Sequence, residues 1–143
     1  MWRTLLFFAG ATFFLGLVAL PVRSDPVQSG ASLYKEHCAA CHGANLEGQP
    51  NWKSPNPDGT LPAPPHDESG HTWHHGDRLL FDYVKQGGAA TMAARGASGF
   101  KSAMPGFAES LTDEDIWDIL TFLKSRWSQR ARAYQEQVTA NEQ

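Results

Sequence analysis

The sequence predicts a small all-α domain in which three main helices are joined by long irregular loops and preceded by an N-terminal hydrophobic segment. Two observations support this fold class. Three stretches place apolar residues at helical spacing, and no stretch shows the alternation typical of a strand. The chain has 143 residues, 41% of them hydrophobic, which suits one small domain and leaves no room for a second, catalytic one.

Residues 1–24 are predicted to be a targeting segment outside the fold. Arg3 opens the segment, and Leu5–Leu20 form a run of sixteen residues without a charge. Cleaved signal peptides have roughly 7 to 15 apolar residues, and a membrane span needs roughly 17 or more. The segment is therefore either a signal peptide or an N-terminal membrane anchor, and both place residues 25–143 in the periplasm.

The first two helices follow from apolar spacing and from glycine positions. The first is predicted over Ala31–Ala40, starting after Gly30. The second is predicted to begin near Asp77 and to stop at Gly87. Its apolar stripe consists of Leu79, Leu80, Tyr83 and Val84.

The third helix has the clearest signals. Thr112 and Asp115 resemble a capping box at its start, and basic residues follow at its other end. Its predicted buried face consists of Ile116, Ile119, Leu120, Leu123 and Trp127. Residues 133–143 are rich in Gln, Glu and Asn and are predicted to be a polar C-terminal tail that frays.

The two cysteines of the chain stand in the sequence Cys38-Ala39-Ala40-Cys41-His42. This is the Cys-x-x-Cys-His signature of c-type haem attachment. Thiols one helical turn apart can each form a thioether with a haem vinyl group, and the next residue can direct its imidazole at the iron. The motif predicts one covalently bound haem c per chain, held by Cys38 and Cys41 and ligated by His42.

Other uses of a cysteine pair explain the motif less completely. A zinc site needs four convergent ligands, usually from two separated pairs, and the chain has no second cysteine pair. A redox dithiol or a simple disulfide remains open, but neither accounts for His42.

Much of the chain, residues 29–127, resembles the class I monohaem c-type cytochromes. The resemblance rests on Ser29–Tyr34 leading into Cys38–His42, on Met104-Pro105-Gly106-Phe107 and on the amphipathic helix after Thr112. It implies the small class I cytochrome c fold, with one haem in the cleft between crossing first and last helices. Residues 25–132 would form this domain, and Gly30 and Tyr34 would touch Trp117 or Leu120.

The resemblance also implies that Met104 is the distal ligand of the iron, opposite His42. Pro105 favours extended backbone at Met104, and Gly106 permits close approach of the backbone to the haem ring. Met92 is the alternative, in a predicted loop rich in Gly and Ala with no following proline. Two filled axial positions leave no site for oxygen or peroxide, which favours an electron carrier over an enzyme.

The loop Gln49–His75 contains six of the nine prolines and four of the six histidines, and is predicted to be ordered but irregular. The four histidines are His66, His71, His74 and His75. They are a possible site for copper or another divalent metal. Alternatively, with Trp73, they line the haem edge, bind its propionates or face solvent. His37 is predicted to be a surface helix residue.

The charge balance argues against nucleic acid as a partner. The net charge is −3, and residues 25–143 contain ten basic and fifteen acidic residues. The acidic cluster is Asp113, Glu114, Asp115 and Asp118. It is either a docking site for a basic partner or, for its first three members, compensation of the helix dipole.

The sequence therefore predicts a one-electron carrier between redox proteins on the outer side of the cytoplasmic membrane. Membrane attachment through residues 5–20 remains open. One alternative is a cytochrome subunit of a larger oxidoreductase. Another is a haem enzyme or gas sensor with a labile sixth ligand.

Overall fold

A computed structural model describes residues 24–142. Within this range the chain forms six helices and no strand, which confirms the all-α fold class. The helices are α1 (Pro26–His37), α2 (Ala39–His42), α3 (Asp77–Gln86), α4 (Gly88–Ala94), α5 (Asp113–Ser125) and α6 (Gln129–Ala140), with a 3-10 turn at Thr72–His74. Apart from its last residue, the predicted targeting segment 1–24 lies outside the described residues. None of the helices in residues 24–142 is long and apolar enough to cross a membrane.

The first helix begins earlier than the sequence predicts. Asp25 caps α1 by accepting a hydrogen bond from the Val27 N–H at 2.9 Å, and Pro26 occupies the first turn, where no N–H is needed. The start predicted after Gly30 is wrong, because Gly30 lies inside the helix. After α1, Cys38 leads into the single turn of α2.

Gly30 is needed inside α1 because α1 and α5 cross there. A Cβ atom at Gly30 would lie 1.9 Å from the carbonyl oxygen of Asp118 and 2.9 Å from the Cβ of Phe122. Tyr34 is buried one turn later, and its ring centroid lies 5.5 Å from that of Phe122. The expected role of Trp117 in this crossing is corrected, since its side chain is 42% exposed and stacks on a phenylalanine of α3.

We expect Gly30→Ala to destabilise the protein by about 1–3 kcal/mol, because the new methyl group would force α1 and α5 apart. In an unhindered helix the same change stabilises by about 0.5–1 kcal/mol. Whether Gly30→Ala destabilises or stabilises the protein therefore shows whether α1 and α5 pack closely at Gly30. Thermal denaturation should show a lower melting temperature for Gly30→Ala and little change for Ser32→Ala, an exposed position of α1. A higher melting temperature for Gly30→Ala would contradict this packing.

The structure confirms the predictions for α3 and α5. α3 ends where Gly87 adopts a φ of +85°, a value that favours glycine. α5 begins with a capping box, in which the Asp115 N–H donates to Thr112 Oγ1 and the Thr112 N–H donates to the Asp115 carboxylate at 2.9 Å. Every residue of the predicted buried face is at most 3% exposed, namely Ile116, Ile119, Leu120, Leu123 and Trp127.

Asp115→Ala should destabilise the protein by about 1 kcal/mol at neutral pH and by less at acidic pH. Hydrogen bonds from the side chain and backbone of Thr112 lower the pKa of the Asp115 carboxyl. Such a group stabilises the fold above its unfolded pKa, and this contribution is lost as the pH falls through its folded pKa. Melting temperatures of the wild type and Asp115→Ala should thus converge on acidification.

Glu109→Ala serves as the control for this prediction, because it removes an exposed carboxyl just before α5. Its melting temperature should follow that of the wild type at every pH. A pH-independent gap between the wild type and Asp115→Ala would show that the ionised carboxylate is not what stabilises the helix start.

The prediction of a fraying tail at residues 133–143 is wrong for most of its length, because α6 continues to Ala140. Gln135 is 1% exposed, and its side-chain amide donates to the Asp77 carboxylate at 2.6 Å. The Glu142 carboxylate accepts hydrogen bonds from two backbone N–H groups at the start of α3. Polar contacts thus hold α6 against α3. The polar composition of residues 133–143 does not reveal these contacts.

The loop Gln49–His75 is irregular apart from the 3-10 turn, as predicted. α4 is an addition to the predicted helices. Met92 lies in this helix, so the expectation of a loop around Met92 is wrong. Four of the seven residues of α4 are alanine, which is the best helix former.

Candidate functional site

The two thiols lie on one turn of chain at the end of the first helix. Cys38 stands between α1 and α2 and is half-buried, whereas Cys41 lies within α2 and is exposed. Both are free thiols, so the disulfide alternative is not formed. The pKa of Cys38 is raised to about 11, mainly because the thiol is buried and to a smaller extent because Cys41 lies nearby. Reactive redox dithiols have lowered pKa values, so this environment does not suit a thioredoxin-like pair.

His42 lies at the end of α2 and is 6% exposed. Its Nδ1 lies 2.9 Å from the carbonyl oxygen of Pro64. A carbonyl only accepts hydrogen bonds, so Nδ1 carries the proton and Nε2 keeps a free lone pair. Burial lowers the pKa of His42 and favours this neutral ring. The side chain is thus prepared to bind a metal through Nε2, with its tautomer fixed from the second nitrogen.

Met104 lies half-buried in a segment without regular secondary structure, residues 102–107, that is tied to the junction of α3 and α4. Its carbonyl accepts a hydrogen bond from the Gly88 N–H at 3.2 Å, and its own N–H donates to Ser102 Oγ at 3.1 Å. Phe107 N–H donates to the Val84 carbonyl at 3.0 Å. These bonds hold the Met104 backbone on both sides.

Gly106 lies close to the end of α3. A Cβ atom at Gly106 would lie 2.7 Å from the carbonyl carbon of Gln86, the last residue of α3. The glycine therefore allows the Met104 segment to pack against the end of α3.

Several elements present apolar side chains that the protein only partly covers. α3 has no fully buried residue, in contrast to α5. The partly buried apolar side chains packed on the core include Cys38, Ala39, Leu80, Val84 and Phe107. They come from the cysteine turn, from α3 and from the segment after Met104. A flat apolar group bound to the cysteines would cover such surfaces.

The four loop histidines do not form a metal site. Among residues 24–142, no group of three or more His, Cys, Asp or Glu side chains is placed to hold a metal ion. His66 stacks on His42 with ring centroids 4.0 Å apart. His71 stacks on Trp52, whereas His74 is exposed. Burial is the main reason why the pKa values of His66, His71 and His75 are lowered.

Two buried ring nitrogens have no hydrogen-bond partner in the described part of the chain, His71 Nδ1 and Trp73 Nε1. The Trp73 N–H can only donate, so it calls for an acceptor, whereas His71 Nδ1 donates or accepts according to its tautomer. Carboxylate oxygens, such as those of haem propionates, would suit the Trp73 N–H, and also His71 in the tautomer with its proton on Nδ1. With two thiols, a neutral imidazole nitrogen, a thioether and partly covered apolar side chains, the residues present fit a covalently bound haem.

His37, predicted to be a surface residue, is the last residue of α1. Its side chain is 22% exposed and its ring lies 6.2 Å from that of Phe107. It is thus more enclosed than expected.

The residue that sequence reasoning missed is Pro64. It lies 22 residues from His42 in the chain, and its contribution is a backbone carbonyl. Six prolines of the loop look alike in sequence, and nothing in the sequence distinguishes this one.

Comparison with known proteins gave one finding. The sequence model of the family described as cytochrome c matches residues 27–127. The match includes the cysteine turn, His42 and Met104, lies within the predicted domain 25–132 and ends before α6. Neither the curated proteins nor the solved structures gave a significant match.

Proposed function

Because the chain belongs to the cytochrome c family, whose members carry electrons on a bound haem, we propose that it is a monohaem c-type cytochrome. In this proposal it carries single electrons between redox proteins on the outer side of the cytoplasmic membrane. The haem supplies an iron that changes between ferrous and ferric states. The protein supplies attachment, axial ligands and cover.

The observation that carries the proposal is the arrangement of Cys38, Cys41 and His42. The thiols lie one helical turn apart, with the Cys41 N–H donating to the Cys38 carbonyl at 3.1 Å. They would form the two thioethers. His42 directly follows and holds its proton on Nδ1, bonded to Pro64, so Nε2 would ligate the iron. One motif of this kind implies one haem c per chain.

Met104 would be the distal ligand. Its backbone is held to Gly88 and Ser102, so the side chain projects from a fixed segment. A thioether ligand favours the ferrous iron and raises the reduction potential. A second axial ligand also excludes oxygen and peroxide from the iron, which supports a carrier rather than an enzyme.

Trp73 would bind a propionate, because its buried ring N–H needs an acceptor, and His71 would do the same with its proton on Nδ1. The histidine-rich loop would then close one edge of the haem instead of binding a second metal. The opposite, thioether edge includes the exposed Cys41 and would face redox partners.

Export is proposed from residues 1–24, because Leu5–Leu20 form an uncharged apolar run. Cell fractionation tests this. Haem staining should find the full-length protein in the periplasm or the membrane, and a variant lacking residues 2–20 should accumulate in the cytoplasm without haem. Cytoplasmic holoprotein from the full-length chain would refute export.

The carrier function is tested by a potentiometric titration with optical detection, followed by carbon monoxide addition. The titration should follow a one-electron Nernst curve, and the reduced protein should remain low-spin and bind carbon monoxide slowly or not at all at neutral pH. Rapid, complete carbon monoxide binding would favour a haem enzyme or gas sensor. Co-purification after mild solubilisation would separate a free carrier from a subunit of a larger oxidoreductase.

A further inference from the structure

His42, the proximal ligand in the proposed function, is contacted on its ring face by a second histidine. The His66 ring is stacked on the His42 ring, with centroids 4.0 Å apart and an angle of 21° between the planes. This distance is close to the van der Waals limit for two flat rings, so the His42 ring cannot rotate on that side without moving His66. The Cys-x-x-Cys-His motif does not call for such a neighbour.

His66 is itself held firmly. Its N–H donates to the Leu46 carbonyl at 2.8 Å, and its carbonyl accepts from Trp127 Nε1 at 2.8 Å. Its Nδ1 lies 2.8 Å from Thr72 Oγ1, and the Tyr34 ring meets it edge-on with centroids 6.2 Å apart. Leu46, Trp127 and Tyr34 are core residues, each at most 3% exposed. Core residues thus hold the His66 ring in place.

One short segment restrains His42 in two directions. Pro64 holds the ring edge through its carbonyl, and His66, two residues later, covers the face. Two glycines let the chain pack tightly around this segment, because a Cβ atom at Gly48 or Gly70 would lie 2.4 Å or 2.0 Å from Pro65 backbone atoms. The hydrogen bond from His42 Nδ1 to Pro64 fixes the tautomer of His42. The stacked His66 ring in addition limits the rotation of the His42 ring.

We propose that His66 is a positioning residue that fixes the rotation of the His42 ring, and with it the orientation of the imidazole plane at the haem iron. The inference rests on the proposed function, since it needs His42 on iron. A positioning role of this kind acts through ring contact, so an aromatic replacement should preserve it and an aliphatic replacement should not.

Paramagnetic proton NMR of the oxidised holoprotein tests the proposal, because the shifts of the haem methyl groups depend on the orientation of the axial ligand planes. His66→Leu should change the order or spread of the methyl shifts and shift the reduction potential. His66→Phe should keep the wild-type pattern. Ser54→Leu, at an exposed position of the same loop, is the control and should change neither.

A merely structural role predicts a different result, namely a lower melting temperature with an unchanged methyl pattern. That result for His66→Leu would overturn the proposal, as would equal changes in His66→Leu and His66→Phe. If His66→Leu does not fold, His66→Gln replaces it. The Gln amide can still hydrogen-bond to Thr72 Oγ1 but has no ring to stack on His42, so it should alter the pattern in the same sense; a wild-type pattern would overturn the proposal.

The absorption spectrum keeps this test separate from the proposed function. If the wild type carried no covalent haem, the proposed function would fail, and the inference with it. If the wild type carried a covalent low-spin haem and His66→Leu showed the wild-type methyl pattern, only the role of His66 would be refuted.

Discussion

Replacing Cys38 and Cys41 together by serine should abolish covalent haem and prevent stable folding. Only nine hydrophobic side chains are buried within residues 24–142, so the polypeptide alone has a small core. A group that binds the folded chain and not the unfolded chain adds its binding free energy to stability. Without the thioethers, we expect nearly complete loss of haem staining on denaturing gels and loss of most helical signal in far-ultraviolet circular dichroism.

The single variants and a neighbouring position complete this experiment. Cys38→Ser and Cys41→Ser should each retain haem through one bond, at reduced yield and stability. Ala40→Ser, between the cysteines and exposed, should load haem like the wild type. A double serine variant that folds stably without haem would show that the protein core suffices. One that retains haem on a denaturing gel would place the attachment elsewhere.

Replacing Met104 by alanine should lower the reduction potential by on the order of 0.1 V or more, within the roughly 0.8 V range that axial ligands set. The thioether that favours ferrous iron would be lost, and the vacated position would admit exogenous ligands. Redox titration measures the first effect. Rapid carbon monoxide binding by the reduced variant measures the second.

Met92→Ala is the matched control, because Met92 is the other methionine of the predicted domain and lies in α4. It should keep the wild-type potential and remain closed to carbon monoxide. The opposite result, with Met92→Ala open and Met104→Ala closed, would assign the distal ligand to Met92. If neither variant opened, methionine ligation would be refuted.

The parts of the fold that the sequence predicted depend on local chemistry. Gly87 ends α3 through its own backbone conformation, and Thr112 and Asp115 cap α5 across three residues. The thiols and His42 were likewise found because their spacing is local. Short-range signals of this kind need no knowledge of the rest of the fold.

The parts that the sequence missed depend on distant contacts. The sequence pattern places a helix boundary at Gly30, although the role of this glycine is to admit the backbone of α5 at Asp118. α6 is held by the buried amide of Gln135, which a polar composition conceals. The Pro64 carbonyl reaches His42 only once the long loop has folded. In each case the partner is far away in the sequence.

Acid acetone extraction followed by peptide mass mapping shows whether Cys38 and Cys41 bind a haem covalently, and the proposed function depends on this attachment. We expect covalent attachment: the colour should stay with the precipitated polypeptide, and the peptide containing Cys38–His42 should carry the added mass of one haem. Colour that passes into the acetone, or a peptide with two unmodified cysteines, would contradict it.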